Sequence, residues 1–209
     1  MQNLTVVDHP ILKRDLTILR RRETPHGTFR RTLESAAAML AYEALRALPL
    51  REVQFDTPLE PAVGYELAGD VILVPILRAG LGMVDGFLRF LPDARVGHLG
   101  MYRDEHTRRP VDYYSSIPST IASAHVFVTD PMLATGGSAV NAVSFLKARG
   151  ASRIYFVCLV AAPEGVDLLS RHHPDVPILT AALDRGLDSR AFIRPGLGDA
   201  GDRIFGTNS

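Results

Sequence analysis

The sequence predicts an α/β fold on a doubly wound, mainly parallel sheet, and three observations predict it. Apolar runs of strand length recur at 71–74, 126–129, 154–160 and 178–183, as strands covered on both faces require. Stretches with apolar residues at helical spacing lie between them, at 81–90 and 139–148, and such alternation builds a parallel sheet. The Gly-rich and charged segments all follow strands, where sheets of this class bind their ligands.

Taken in order, a short helix is predicted over 11–20 and a longer one over 28–48. In the second, Phe29, Leu33, Ala37, Leu40 and Ala44 recur at helical spacing, with Arg30, Arg31 and Glu34 on the opposite face. Arg20-Arg21-Arg22 between them reads as a solvated helix end or as an anion site. Residues 50–70, punctuated by Pro and Gly, read as a loop or hairpin available for subunit contacts. A central strand follows over 71–74, then a helix over 81–90, a strand over 95–101 and a strand over 126–129. The helix over 139–148 turns Val140, Val143 and Leu146 inward and ends at Gly150 as its cap. Strands over 154–160 and 178–183 complete the set. One domain is expected over 1–209, with 1–50 as an N-terminal helical arm.

Three post-strand segments carry candidate chemistry. The first is Asp130-Pro131-Met132-Leu133-Ala134-Thr135-Gly136-Gly137-Ser138, running straight into a helix. Its glycines allow positive φ and close backbone approach, and free N–H groups with a helix N-terminus suit a phosphate. Asp130 can accept hydrogen bonds from sugar hydroxyls. A Thr-Gly-Gly-Ser turn alone also serves simply to cap a helix. No Gly-Lys-Ser/Thr follows, which excludes a Walker A loop. The second segment, 75–82, sets Arg78 beside Gly80 and suits an oxygen-rich anion; alone, it reads equally as a surface arginine at a helix start. The third places Arg103 just past a strand. Residues 104–121, with His106, Arg108, Arg109, Tyr113 and Tyr114, are long for a plain connection. They read as a flexible hood that excludes water or as a structural two-stranded arm. The Gly-dense end, 191–207, is too irregular for a terminal helix and too apolar for a disordered tail, so a folded binding loop is expected.

Bulk properties narrow the function classes. Lys plus Arg equals Asp plus Glu at 23 each, so no global field favours nucleic acid or a membrane surface. No apolar stretch is long enough to span a bilayer, and a cytoplasmic protein is expected. Cys158 lies in an apolar run and reads as a buried core thiol. The seven histidines show no metal-ligand spacing and read as solvated or capping residues.

Taken together, residues 8–10, 75–82, 101–105, 130–138, 160–165 and 195–207 resemble the uracil phosphoribosyltransferase family, within the type I phosphoribosyltransferases. The resemblance implies a type I phosphoribosyltransferase-like fold with a C-terminal base-binding loop. It also implies transfer of phosphoribose from 5-phosphoribosyl 1-pyrophosphate (PRPP) to uracil. Residues 130–138 would hold ribose and 5′-phosphate, Arg78 and Arg103 the pyrophosphate. Ile193, Gly198, Asp199 and Ala200 would meet uracil within a uracil-binding loop at 191–207. Arg78, Arg103, Asp130 and Asp199 would be the catalytic set. Mg²⁺ is the implied cofactor, held through PRPP with no direct protein ligand assigned beyond Asp199 through water. A homodimer or homotetramer is implied, and GTP is an effector for some of the family, with residues near 20–31 as candidates. Three positions depart from the family pattern. Thr129 stands where many relatives carry a second carboxylate, Arg194 where an aliphatic residue is usual, and Asp188 in place of Asn. A different base, or a non-catalytic PRPP sensor or RNA-binding regulator, are the alternatives; the balanced charge argues against the last.

Overall fold

The computed structural model describes residues 3–103 and 110–207. Its chain begins with strand β1 (Leu4–Val6), helix α1 (Pro10–Arg20) and helix α2 (His26–Ala44), which ends in a single tighter turn. A hairpin follows, β2 (Leu50–Asp56) and β3 (Pro61–Leu67), then β4 (Val71–Leu77) and α3 (Leu81–Leu88). Next come β5 (Arg95–Val96), β6 (His98–Arg103), β7 (Pro110–Ser116), β8 (His125–Thr129) and β9 (Met132–Leu133). The remainder is α4 (Gly137–Ala148), β10 (Arg153–Ala161), α5 (Pro163–His172), β11 (Ile178–Leu183), β12 (Gly186–Leu187), β13 (Ile193–Arg194) and α6 (Ala200–Phe205).

The main sheet runs β1-β11-β10-β8-β4-β6-β7, with β5 on β4 and β9 on β10. Every pairing in it is parallel except β6 with β7. The apolar runs alternate between two cores, as the period of two demands. Val71, Leu73, Phe127, Val157 and Leu159 pack under α1, α2, α3 and α6. Their neighbours Ile72, Val74, Val126, Val128, Phe156 and Cys158 pack under α4 and α5. Both faces are therefore covered, which is the doubly wound arrangement. Cys158 is buried and unbridged, and burial pushes its thiol up to about 12.

The helix expected over 11–20 begins one residue earlier, at Pro10, and His9 caps it, its Nδ1 accepting from Ile11 N at 3.2 Å. Gly150 ends α4 with φ +92. Residues 50–70 form a hairpin that packs mainly on itself. Residues 110–116 pair with β6, while 104–109 of the expected hood lie outside the described residues.

Other features differ from the expectation. The sequence reading contains neither β1 nor α5. A helix, α6, stands inside the C-terminal stretch, begun by Asp199 as its cap and ended by Gly206 at φ +67. His125 and His173 are buried rather than solvated. Arg20 is no solvated helix end: both of its terminal nitrogens engage Asp184.

Candidate active site

The carboxyl ends of β4, β6, β8, β10 and β11 bring the predicted segments to one edge of the sheet. Past β4, the Leu77–Arg78 peptide is cis, and Gly80 lies against β8. A Cβ on Gly80 would stand 2.3 Å from the Thr129 carbonyl oxygen and 2.7 Å from Ile76 N, so only glycine fits this approach. Thr129 is fully buried and donates its hydroxyl to Gly80 O at 3.3 Å. A second carboxylate at that position would be desolvated without a partner; the neutral threonine stitches the turn instead. Arg78 is exposed, its Nη2 3.5 Å from Asp202 Oδ1 and its guanidinium 5.8 Å from the Phe205 ring centre. It leans along α6 on long contacts.

Asp130 is the first residue past β8. Its N–H donates to Val157 O at 3.2 Å, and its Oδ1 accepts from Met132 N at 3.2 Å. Burial pushes its carboxyl up to about 7; the Met132 N–H opposes that shift and the nearby Asp199 charge adds to it. The chain then pairs through β9 with β10 and turns at Gly136, φ +83, into α4. No side chain caps α4, and its N-terminus opens onto a groove of about 80 Å³ lined by Asp130, Thr135, Gly136 and Ser138. The start of α5 presses on this turn from below. A Cβ on Gly165 would lie 2.4 Å from Ala134 O, and one on Gly136 would lie 2.8 Å from Gly165 O.

A second hollow of about 250 Å³ shares Asp130, Met132 and Ala134 with that groove. Its far wall is Ala191, Phe192, Ile193 and Gly198 to Gly201. Ile193 is buried in the core and also lines this hollow. Asp199 Oδ1 accepts from Asp202 N at 3.0 Å and caps α6. Asp188 ties the wall together: Oδ1 accepts from Arg190 N at 2.9 Å and Phe192 N at 3.0 Å, and Oδ2 accepts from Arg194 Nε at 2.8 Å and from Arg194 Nη2. The Phe192 N–H, with Arg194 behind it, holds the Asp188 carboxyl below the usual carboxylate range. Asp188 and Arg194, two of the positions expected to depart from the family pattern, thus form one ion pair. From α5, Glu164 Oε1 accepts from Leu187 N at 3.0 Å and anchors β12.

Asp130, residues 132–136, Ser138, Ile193 and Gly198 to Ala200 therefore line two adjoining hollows that share Asp130, Met132 and Ala134 and together make the cleft, with Arg78 Nη2 4.0 Å from where a Gly201 Cβ would stand. Within that run Pro131 and Leu133 are buried and Gly137 begins α4. Arg103 closes β6 at the same edge; its side chain lies outside the described residues. Among the described residues no group of three His, Cys, Asp or Glu could hold a metal ion, and Asp130 and Asp199 are the carboxylates on the cleft wall. Sequence reasoning includes Glu164 and Arg203 in its motifs without giving them a role, and it misses Asp184 and the positioning of Arg20. Pro163 followed by Glu164 is a helix-start signal that would have found α5. The contacts of Arg20 with Asp184 and of Arg203 with the end of α1 span more than 160 residues and leave no local signal.

Comparison with known proteins agrees with the geometry. The chain is 69% identical over 207 residues to a uracil phosphoribosyltransferase of Salinibacter ruber, covering 99% of each chain. A uracil phosphoribosyltransferase of Streptococcus pneumoniae is 54% identical over 208 residues, covering 99% of this chain and all of the relative. A solved protein of Aquifex aeolicus superposes with a TM-score of 0.92 at 34% identity, over 98% of this chain and 99% of its own. A purine phosphoribosyltransferase of Pyrococcus horikoshii shares the fold alone, with a TM-score of 0.50 at 18% identity over 72% of this chain and 82% of its own. The model of the family described as uracil phosphoribosyltransferase matches residues 6–207. With that match spanning both walls of the cleft, the chain belongs to the uracil phosphoribosyltransferase family.

Proposed function

We propose that the cleft transfers the 5-phosphoribosyl group of PRPP to uracil, giving UMP and pyrophosphate for pyrimidine salvage in the cytoplasm. The observation that supports this reading is that the groove at the α4 N-terminus adjoins the hollow walled by 193 and 198–200, the two sharing Asp130, Met132 and Ala134. One end suits a phosphate, and the other offers a flat base its hydrogen bonds. Residues 130–138 hold the ribose 5-phosphate, with the Asp130 carboxylate accepting from ribose hydroxyls. Breakage of the bond from C1 to pyrophosphate builds positive charge on the ribose, by analogy with glycoside cleavage. Arg78 and Arg103 stabilise the departing pyrophosphate, so catalysis is mostly positioning and charge stabilisation. Backbone groups at Ile193 and at Gly198 to Ala200 supply a donor for uracil O4 and an acceptor for N3–H. Cytosine reverses that pair and leaves buried groups unmatched.

Mg²⁺ fits the oxygen donors of this cleft. PRPP oxygens and water would supply most of its ligands, with Asp199 engaged through water, and the bound ion would offset the charge of the leaving pyrophosphate. For a GTP effector the candidates are the exposed Arg21, Arg22, Arg30 and Arg31, since Arg20 is committed to Asp184.

The test is UMP formation from PRPP and uracil with Mg²⁺, with cytosine as control and GTP present or absent. UMP from uracil and none from cytosine is expected; saturable PRPP binding without turnover would make the chain a sensor instead. Because the side-chain contacts of Arg78 with Asp202 and Phe205 are long, Arg78→Ala should keep the melting temperature while kcat/KM for PRPP falls roughly tenfold to a few hundredfold, the loss of one or two charged hydrogen bonds. Normal activity in that variant would remove Arg78 from the pyrophosphate site.

The oligomeric reading rests on β2 and β3. An isolated hairpin is marginal in water, yet this one exposes Phe55, Val63 and Tyr65, and Leu59 at its tip is 94% exposed. A second copy covering these side chains accounts for the exposure. Val63→Asp is expected to shift sedimentation toward the monomer; an unchanged sedimentation coefficient would place the contact elsewhere.

A further inference from the structure

We propose that Arg20 and Asp184 are positioning residues for the base, setting the uracil-facing backbone by gripping both polar groups of Gly196. The proposal rests on the uracil-transfer reading and deepens it. Asp184 is 8% exposed at the carboxyl end of β11, its N–H bonded to Ala161 O at 2.8 Å. Arg20, the last residue of α1, donates from Nη2 to Asp184 Oδ1 at 2.6 Å and from Nη1 to Oδ2 at 2.8 Å. The same Nη1 donates to Gly196 O at 2.9 Å, and Gly196 N donates to Asp184 Oδ2 at 2.9 Å. Guanidinium, carboxylate and one peptide unit therefore close a ring of charge-assisted hydrogen bonds.

The gripped residue sits at a decisive place. Gly196 has φ +61, and a Cβ there would stand 2.1 Å from Ile193 O, so the chain doubles back tightly on Ile193. Ile193 and Gly198, on either side of it, both line the cleft. Holding Gly196 thus sets the separation of the two backbone stretches that face the base. A second arginine runs in the opposite direction. Arg203 of α6 donates to Leu19 O, to Leu197 O at 2.9 Å and to Arg21 O at 2.6 Å, with its guanidinium 4.4 Å from the Phe29 ring centre. The end of α1 and the base loop are joined from both sides. Neither Arg20 nor Asp184 lines the cleft, so their effect on uracil passes through Gly196.

Asp184→Asn keeps an acceptor for the Gly196 N–H and ends the ion pair. Arg20→Lys keeps the charge and loses the planar fork that meets three acceptors at once. Each is expected to raise KM for uracil about tenfold through misplacement of the loop, with KM for PRPP changed by less than about twofold. Lys147→Met breaks the Lys147–Asp175 pair, 2.7 Å long and remote from the cleft, and should leave KM for uracil unchanged. Equal changes in both KM values, or no change for uracil, would overturn the proposal. Arg20→Lys decides alone where Asp184→Asn does not fold. Hydrogen exchange gives a readout that needs no turnover: amides of 193–199 should exchange faster in the variants while those of α4 do not. Unaltered exchange at 193–199 would overturn the grip. A parent protein that made no UMP would sink the uracil reading alone, and the exchange result would still decide the role of the pair.

Discussion

Gly165→Ala is expected to lower kcat/KM for PRPP by about a hundredfold, because a shift of about 1 Å in a positioned site costs that much. Gly165 is where the first turn of α5 meets the turn that opens α4. The added methyl would stand 2.4 Å from Ala134 O and 2.8 Å from Leu133 O, both backbone atoms that no rotamer change can move. The opposite side is equally close, since Gly136 approaches the Gly165 carbonyl. One of two peptide segments must retreat, and the segment with freedom to do so is the 134–136 turn beside the phosphate groove. Overpacking of this kind costs about 1–3 kcal/mol of stability, which a melting curve will register. Activity should suffer more than stability, since a turn displaced from α5 still leaves both cores packed. A folded Gly165→Ala protein with parental kcat/KM would show that the turn's position does not govern phosphate binding.

Asp130→Asn should reduce kcat/KM for PRPP by at least about a hundredfold, since hydrogen bonds to a charged acceptor contribute about 1.5–3 kcal/mol each and two ribose hydroxyls are involved. Its pH signature is more diagnostic than its size. The Asp130 carboxyl titrates at about 7, against 3.8 for an unperturbed group, because burial disfavours the charge and Asp199 repels it. Raised in the folded state, this group stabilises the fold below the ordinary carboxylate range, and that contribution is lost as pH rises through about 7. Ribose binding needs the ionised form and follows the reverse course over the same window. The kcat/KM profile should therefore carry a rising step near pH 7 that Asp130→Asn lacks. Asp199→Asn, which removes the like charge, should move that step to lower pH. An acid limb of the same shape and position in the parent and Asp130→Asn would assign the step to PRPP itself and remove Asp130 from it.

Much of this was legible in the chain. The strand at 71–74 was readable because four apolar residues in a row have only one comfortable home, a strand covered on both faces. Asp130 and the turn after it were readable because backbone capture of an anion requires small residues before a helix, within a few positions of sequence. The end of the chain reads as a folded loop because its glycines mask a helix of six residues. Its two local marks, Asp199 as N-terminal cap and Gly206 in the left-handed region, were present but short.

What the sequence by itself determined is the alternation of strands and helices, the glycine turn that opens α4 and the edge of the sheet on which the candidate segments gather. Each rests on periodicity or on neighbours a few residues apart. The tertiary structure alone decided that Arg20 serves Asp184 and Gly196, that Arg203 holds the end of α1, and that Thr129 is fully buried with its hydroxyl on Gly80 O. Those outcomes depend on desolvation and on hydrogen bonds formed when distant segments meet, and neither quantity exists until the chain has folded.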